Sequence, residues 1–493
     1  MSNITTFVKR IQNFNNKPKS RKFKEISNQI SNYINSKLLE DKKKLEINLR
    51  EAGNGDIYDV DPLKMPVEAG GNLWWDFMDP TERSKIIGGM LRHQISRAYK
   101  EMSVYSILLG DSIKNVDTSY IEKIEDLLQL PFITKDHIES DGVKQTSFRE
   151  LSIADRNILI PKDMQDVIKR MIHRHENSKL LQRCYDGIPI WHFHSGGSKG
   201  GKTWTALSYL DLETESYALA FRALLKGGFY PGAKFLSLYN ETHKGGFNLK
   251  RASELLGVEY HSKRMMSNYL ANKYGKEWIY REKRFGDKLA TPDDITYIGE
   301  KICEYISDHK IEIIASVQPS REFLAKNDKG GMITFENIYD NKKPNSFDSV
   351  YLVFITGFPV PKETYEKLRN DGIEVFTTWG ATESMANGTH PLIHDSFPSI
   401  NLVSSNVNDL VDIIYPNIWI PVVYNRNQRR WERSRVGEPG YIVVTNIFRV
   451  GTIYSNFNIE DIGTRTIYGL KDIHKKNVIV ALEGTCASDA MEL

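Results

Sequence analysis

From about residue 188 to residue 381 the sequence alternates short apolar segments with amphipathic ones, and this alternation constrains the fold more than any other feature. Segments typical of strands are IPIWHFH, AKFLSLY, KIEIIASV, SVYLVFITG and IEVFTTWG. Between them lie segments of helical periodicity, among them NLKRASELLG, ITYIGEKICEYISDH and KETYEKLRND. Strands that alternate with helices indicate a largely parallel sheet covered by helices, so we predict a layered α/β body.

The two ends of the chain have different patterns. A Lys- and Asn-rich N-terminal segment has apolar residues at helical spacing, namely Ile26, Ile30, Ile34, Leu38 and Leu39. This spacing predicts an amphipathic helix that binds a membrane or partner, or that packs on the main body, and we favour packing. From about residue 415 the segments IWIPVVYN, GYIVVTNI and TRTIYGL indicate a small β-rich part. We expect a basic helical extension over 1–80 and a large domain over 81–480.

Composition excludes several classes of protein. The net charge of +3 over 493 residues is too small to indicate nucleic acid as the main partner. Cys184, Cys303 and Cys486 are far apart in the sequence, which argues for a reducing compartment and against a disulfide framework or a zinc–thiolate site. No apolar run approaches the ~20 residues that span a bilayer, and the N-terminus lacks the apolar core of a signal peptide. We expect a cytoplasmic protein without a membrane span.

The stretch HSGGSKGGKTWTALS, from His194 to Ser208, allows two interpretations. Gly196 to Thr203 match G-x-x-x-x-G-K-T, the phosphate loop of nucleotide hydrolases, in which a helix begins directly after the motif. Here strand-forming residues follow, and we place the first helix cap at Asp211. Such a hydrolase also needs an apolar strand ending in Asp to hold magnesium, and SVYLVFI and KFLSLY do not end so. We therefore favour a loop between two strands and keep the hydrolase as an alternative.

Four short motifs follow one another along the chain: SGGSKGGKT at 195–203, WGATE at 379–383, GEPGYI at 437–442 and NFNIED at 456–461. Their order and spacing resemble those of the adenylate-forming superfamily, in its phenylacetate–CoA ligase-like branch. The motifs of that branch read S-S-G-T-T-G-K-P-T, Y-G-x-T-E, G-E-x-G-E-L and R-Y-x-T-G-D. The resemblance covers about residues 80–493 and implies the large domain of these enzymes.

The resemblance also implies a reaction. A carboxylate attacks the α-phosphate of ATP, pyrophosphate leaves, and the acyl group of the acyl-adenylate passes to CoA, to a carrier-protein thiol or to an amine. Because two anions meet, the site needs cations and preorganised donors. The segment FITGFPVPKETYEKL also resembles the adenine-side turn of the family. The ATP site implied by the resemblance comprises Ser195, Gly196, Gly197, Ser198, Gly200, Gly201, Gly357, Phe358, Pro359, Trp379, Gly380 and Asp461.

Individual roles follow from the same resemblance. Asp461 would accept hydrogen bonds from the ribose hydroxyls, and Trp379 would lie beside adenine. Glu383 would hold Mg²⁺, which prefers hard oxygen ligands. The implied catalytic residues are Lys199, Lys202, Thr382 and Glu383. The implied pocket for a small carboxylic acid is lined by Tyr239, His243 and Phe247.

The sequence departs from the family in two places. Lys199 and Lys202 replace the second Thr and the Pro of the family loop, and so add cations next to the phosphates. Family members also end in a lid domain with a catalytic Lys, whereas only residues 462–493 follow the last motif here. We read 481–493 as a remnant of the hinge with the lid domain absent, so that the chain is lidless or a separate protein supplies the lid. A non-catalytic nucleotide-binding scaffold is the alternative to an AMP-forming ligase.

Overall fold

The computed structural model describes 21–110, 116–134, 161–162, 164, 191–194, 204–239, 241, 243–318, 333–357, 360, 362–381, 384–389, 410–412, 415–466 and 469–475. Over these ranges the chain is a mixed α/β protein with a helical N-terminal region, as the sequence predicts. Among the described residues, no helix has both the length and the apolar character that crossing a membrane requires.

Helices form the N-terminal region. They are α1 (Arg21–Ala52), α2 (Trp74–Phe77), α3 (Pro80–Glu101) and α4 (Ser103–Leu109). The α1 helix contains the predicted amphipathic pattern, and its Ile26, Ile30 and Ile34 are buried against the sheet. Packing on the main body is therefore confirmed for this face of the helix. The domain boundary at residue 80 stays a prediction.

The elements that follow in the chain include the parallel half of the sheet, its covering helices, and a separate two-stranded sheet formed by the second and third strands. In chain order they are β1 (Ile133–Thr134), β2 (Trp191–His194), β3 (Trp204–Leu207), α5 (Tyr209–Tyr217), a π-helical segment (Ala218–Leu224), β4 (Lys234–Ser237), α6 (Lys244–Leu256), β5 (Glu259–Ser262), α7 (Lys263–Tyr274), α8 (Lys276–Gly286), α9 (Pro292–His309), β6 (Ile313–Gln318), α10 (Phe335–Tyr339), β7 (Leu352–Gly357), α11 (Lys362–Asn370) and β8 (Glu374–Ala381). Strands β5, β4, β6, β7 and β8 lie side by side in this order and are all parallel.

The remaining strands continue the same sheet in antiparallel pairing. They are β9 (Met385–Thr389), β10 (Leu410–Asp412), β11 (Asn417–Asn425), β12 (Arg430–Arg433), β13 (Pro439–Asn446), β14 (Phe457–Arg465) and β15 (Gly469–Lys475). From β8 the order runs β9, β10, β15, β14, β13, β11, β12, and β1 pairs in parallel with β14. A single sheet thus has a parallel half, β4 to β8, and an antiparallel half, β9 to β15.

Helices cover both faces of the parallel half, because consecutive side chains of its strands enter different hydrophobic clusters. On β6, Ile313 packs in a cluster with residues of α1 and α6, whereas the next residue, Ile314, packs in a cluster with residues of α7, α8 and α9. This arrangement explains why the sequence of these strands is apolar throughout rather than alternating.

Two segments differ from the sequence prediction. The TRTIYGL segment is not one strand, because Thr464 and Arg465 end β14 while Gly469 and Leu470 begin β15. Apolar and β-branched residues occur on both sides of this reversal, so periodicity alone misses it. The sequence reading also left out helices α7 and α8, which lie between two predicted elements and pack on α9.

Candidate functional site

The glycine-rich loop is the connection of a β-hairpin. Strands β2 and β3 pair antiparallel, with Trp191 opposite Leu207 and His194 opposite Trp204. The prediction that the loop joins two strands is therefore confirmed. The helix that a hydrolase phosphate loop requires directly after its motif is absent at residues 204–207, which form β3.

Helix α5, which follows the hairpin, is capped by a different residue from the one predicted. Our assignment of Asp211 as the cap is wrong, since Ser208 is the N-cap and its Oγ accepts from the backbone N–H of Asp211 at 3.2 Å. The Asp211 carboxylate in turn accepts from the Ser208 backbone N–H at 2.7 Å and from its Oγ–H at 3.0 Å. This reciprocal pair is a capping box, and the sequence signal S-x-x-D was present in SYLD.

The same buried carboxylate attaches the hairpin to the segment before β14. Asp211 accepts from the backbone N–H groups of Val450 at 2.6 Å and of Gly451 at 3.0 Å. Two hydrogen bonds of 2.8 Å join Ala206 and Thr452. The Ala206 N–H donates to Oγ1 of Thr452, and the Thr452 N–H donates to the carbonyl of Ala206. A Cβ at Gly451 would lie 2.2 Å from the carbonyl oxygen of Ala206, so the close approach requires glycine. The loop-bearing hairpin is thus fixed to the chain that leads into β14.

Two of the sequence motifs meet in a hydrogen bond. The indole Nε1 of Trp379, on β8, donates to Oδ2 of Asp461, on β14, at 3.1 Å. Both side chains are buried, and Trp419 of β11 packs edge-on against Trp379 with ring centroids 6.3 Å apart. The adenine-side residue and the ribose-side residue implied by the motifs are therefore neighbours, although 82 positions separate them in sequence.

The first residues of the WGATE motif, 379–381, end β8, where strand pairing in the sheet changes from parallel to antiparallel. Thr356 of β7 pairs with Thr378 of β8, so Gly357 and Trp379 come next to each other at the carboxyl ends of parallel strands. Ligands bind in such crevices of α/β sheets. Gly380 is exposed at a bulge of β8, and β9 begins at Met385 after a turn in which the Ser384 N–H donates to the carbonyl of Ala381 at 3.1 Å.

The third motif begins β13. Gly437 has φ +87°, in the left-handed region that favours glycine. A Cβ at Gly440 would lie 2.1 Å from Oγ of Ser434 and 2.8 Å from the carbonyl oxygen of Val422. The two glycines of this motif are therefore required by a turn and by the contact with β11.

Tyr239, from the predicted acid pocket, lies at the same carboxyl edge of the parallel half. Its hydroxyl donates to the carbonyl of Ser316 on β6 at 2.9 Å, and its ring lies 6.4 Å from that of Phe354 on β7. Burial raises the pKa of Tyr239, and hydrogen bonding with Thr356 offsets only part of this increase. The phenol therefore stays protonated at neutral pH and acts as a hydrogen-bond donor.

The structure gives the other two predicted pocket residues local roles. His243 is exposed and caps α6, since its Nδ1 accepts from the Gly245 N–H at 3.2 Å. Phe247 is half-buried on the first turns of α6. A role for either residue in binding the acid stays a prediction.

The sequence analysis did not predict a buried ionic cluster around Glu215 of α5. Glu215 of α5 forms ion pairs with Arg449 and with Lys244, the latter at 3.2 Å, and it accepts from Asn248 Nδ2 at 3.1 Å. All four side chains are buried. The partners are far apart along the chain and match no motif, so only the fold brings them together.

Several predicted site residues lie outside the described part of the chain: Ser195, Gly196, Gly197, Ser198, Lys199, Gly200, Gly201, Lys202, Phe358, Pro359, Thr382 and Glu383. Their roles stay predictions. Among the residues that are described, no three His, Cys, Asp or Glu side chains are grouped so as to hold a metal ion. The single described cysteine, Cys303, is a free thiol whose pKa burial raises to about 12.

Solved structures that are similar to this chain are acyl-CoA ligases. An open conformation of 2-hydroxyisobutyryl-CoA ligase, in complex with 2-HIB-AMP and CoA, has a TM-score of 0.49 and 13% identity over 79% of this chain and 71% of that one. Against the same ligase in its postadenylation state, the chain spans 64% of the ligase's length.

Two further similar structures match less of the chain. O-succinylbenzoate coenzyme A synthetase from Bacillus subtilis, in complex with ATP and magnesium ion, has a TM-score of 0.37 and 15% identity over 59% of this chain and 51% of that one. The N-terminal domain of FACL13 from Mycobacterium tuberculosis has a TM-score of 0.35 and 14% identity over 58% of this chain and 59% of that one.

No protein-family model and no curated protein matches the sequence. The TM-scores of these similar structures are all below 0.5.

Proposed function

We propose that this chain is an AMP-forming ligase of the phenylacetate–CoA ligase-like kind. It activates a carboxylic acid with ATP to an acyl-adenylate and passes the acyl group to CoA, to a carrier-protein thiol or to an amine. The observation that carries the proposal is the hydrogen bond from Trp379 Nε1 to Asp461 Oδ2, because it joins the two motif residues assigned to adenine and ribose.

The Trp379–Asp461 pair suits the ribose end of a nucleotide. A carboxylate has two oxygens that can each accept more than one hydrogen bond, so Asp461 can accept from the indole and from paired hydroxyls. The indole N–H fixes the orientation of the carboxylate within the sheet. Trp379 stands where the family has Tyr, and this hydrogen bond gives a physical reason for the replacement.

The phosphate end of the proposed site is the loop of the β2–β3 hairpin. Its Gly residues let backbone N–H groups approach phosphate oxygens, Ser198 adds a hydroxyl, and Lys199 and Lys202 add cations. Asp211 and Thr452 fix the hairpin to the segment preceding β14, which carries Asp461. The framework thus links the phosphate-binding loop to the ribose-binding carboxylate.

Glu383 is the proposed ligand of the Mg²⁺ that accompanies ATP. In the sequence it lies four residues after Trp379, between the end of β8 at Ala381 and the start of β9 at Met385. Tyr239, at the carboxyl edge of β4, is the described residue that we assign to the acid pocket.

Product analysis tests the reaction. The purified chain is incubated with ATP, Mg²⁺ and a library of carboxylic acids, pyrophosphate release is measured, and the acyl-adenylate is detected by mass. We expect AMP and pyrophosphate, and a loss of at least about 10²-fold in rate for Glu383→Gln, as expected when a transition-state charge contact is removed.

The alternatives predict other products. ADP and free phosphate as the main products, with an indispensable Lys202, would identify a phosphate-loop hydrolase. In the ligase, Lys202→Ala is milder because Lys199 and backbone donors remain. A chain that binds ATP–Mg²⁺ in calorimetry but releases neither pyrophosphate nor phosphate would be the non-catalytic nucleotide-binding scaffold.

A further inference from the structure

A basic stretch of the chain covers α7, α8 and the turn after them. Residues 263–289 contain eight Lys and Arg against three Asp and Glu, which gives a net charge of +5. Since the whole chain has a net charge of +3, the remainder carries −2. Residues 1–50 are a second basic region, with 12 Lys and Arg against four Asp and Glu, so the rest of the chain is acidic.

The inner face of α8 is fully used for packing. Trp278 and Phe285 are buried in the hydrophobic cluster under α9. The two arginines of the helix also point to α9, with Arg281 Nη1 2.9 Å from Oδ1 of Asp294 and Arg284 Nε 3.0 Å from its Oδ2. These contacts hold α8 rigidly with its opposite face outward.

The outer face of α8 combines lysines with exposed apolar side chains. We define it as Lys276, Ile279, Tyr280 and Lys283, whose i, i+3, i+4, i+7 spacing puts them on one side of the helix. Ile279 is 54% exposed and Tyr280 61% exposed. Directly after the helix come Lys288 and Leu289, and Leu289 is 62% exposed.

The outward cations are available for a partner. Within the described ranges, no ion pair involves Lys276, Lys283 or Lys288. The Tyr280 hydroxyl accepts from Arg284 Nη1 at 3.2 Å, which keeps its ring lying along the helix surface. A ligand for this face must therefore be anionic and must also accept apolar side chains.

We propose that the outer face of α8 binds the surface of a lipid bilayer that contains anionic lipids. Lysine is depleted in protein–protein interfaces, where arginine is preferred, and here the arginines are used internally while every outward cation of α8 is a lysine. Tyrosine and aliphatic side chains flanked by lysine are the composition of helices that lie in the membrane interface. With 11 residues, α8 is about 16 Å long, so it lies on the bilayer and binds reversibly.

Vesicle sedimentation tests this proposal with the full chain. We expect the protein to bind vesicles of phosphatidylcholine with about one third phosphatidylserine, not vesicles of phosphatidylcholine alone, and to be released by high salt. Lys276→Gln with Lys283→Gln should weaken binding by more than tenfold, since each lysine near an anionic surface contributes about fivefold. Ile279→Ser with Tyr280→Ser should weaken binding at unchanged net charge.

The matched control lies on α1, where Leu39 and Lys43 are also exposed. Leu39→Ser with Lys43→Gln removes one exposed aliphatic side chain and one exposed lysine from a different basic helix, and should leave binding unchanged. All variants should keep the thermal stability of the parent chain, because the changed side chains are outside the core. Equal binding by the α8 variants, or no binding of anionic vesicles, would overturn the proposal. Binding to polyglutamate through the same lysines without vesicle binding would overturn it in favour of an acidic protein partner.

Discussion

The two halves of the sheet are stabilised by different means. In the parallel half, the buried side chains of β6, β7 and β8 are almost all apolar and pack against helices on both faces. In the antiparallel half, the chain from β13 to β14 buries polar side chains that bond to one another and to distant segments, including Asn446, Thr452, Asn456, Asn458 and Asp461. Non-glycine residues with positive φ lie within strands there, at Glu460 of β14 and Asp472 of β15, whereas in the parallel half they lie between strands, at Lys288, Lys310 and Asn345.

This difference matters for function because the candidate site lies between the halves. Apolar packing tolerates small changes of shape, since neighbouring side chains adjust and lose little free energy. A buried polar network loses more, because removing one member leaves its partners without hydrogen bonds. The antiparallel half should therefore be the more sensitive half to isosteric substitution.

The largest effect is expected for Asp211→Asn. The amide keeps the shape but replaces one of the two acceptor oxygens by an NH2 group, which faces either the N–H of Val450 or the N–H groups of Ser208 and Gly451. We expect the unfolding free energy to fall by about 3 kcal/mol, because at least one buried donor loses its acceptor and the other hydrogen bonds lose a charged partner. Removing one methyl group in the parallel half, by Ile313→Val, should cost about 1 kcal/mol. Chemical denaturation measures both, and equal losses would contradict the comparison.

Acid sensitivity should be the next largest effect. The buried Asp76 of α2 pairs with Arg222 at 2.6 Å and with Lys226, and Arg222 also donates to the carbonyl of Tyr415, just before β11, at 2.6 Å. Burial alone would raise the pKa of Asp76, but the two cations outweigh burial and lower it to about 2.

Because the folded-state pKa lies below the usual 3.8, the stabilisation is complete above about pH 4 and is lost as the pH falls through 2. The shift corresponds to about 2–3 kcal/mol. Asp76→Asn should be less stable at neutral pH, since two buried cations lose their counter-charge. The difference in stability between the parent chain and the variant should shrink from pH 4 to pH 2, and a constant difference would show that Asp76 titrates normally.

The sequence predicted the parallel half well and the antiparallel half less well, for the same physical reason. Runs such as SVYLVFITG are apolar because both faces are covered, and they give a clear signal. The reversal between Arg465 and Gly469 and the capping box at Ser208 are set by individual polar contacts, which periodicity does not detect. For the site, motifs identified Trp379 and Asp461, but no motif pointed to the Asp211 contacts or to the cluster around Glu215, because their partners are distant in sequence.

A pair of tryptophans extends the comparison to hydrogen bonding. Trp379, on β8, donates to Asp461 of the antiparallel half, whereas Nε1 of Trp278, on the covering helix α8, has no hydrogen-bond partner among the described residues. Trp379→Phe should cost about 1.5–3 kcal/mol more than Trp278→Phe, the usual contribution of a hydrogen bond to a charged group. Denaturant midpoints measure the difference, and ATP affinity should fall for Trp379→Phe only. Equal costs would mean that the indole N–H does not hold Asp461.

The smallest expected effect is at Glu460, where two variants distinguish the contribution of the backbone conformation from that of the side chain. Glu460 precedes Asp461, stands where the family motif has Gly, and has φ +66°. Glu460→Gly and Glu460→Ala both lose the side chain, but only glycine adopts this backbone without strain, so the Gly variant should be more stable than the Ala variant by about 1 kcal/mol. At Val353, in the extended backbone of β7, the Ala variant should instead be more stable than the Gly variant, because glycine in a strand interior lowers stability by about 0.5–1 kcal/mol relative to alanine. The same order at both positions would show that the left-handed turn before Asp461 is not a constraint on the site.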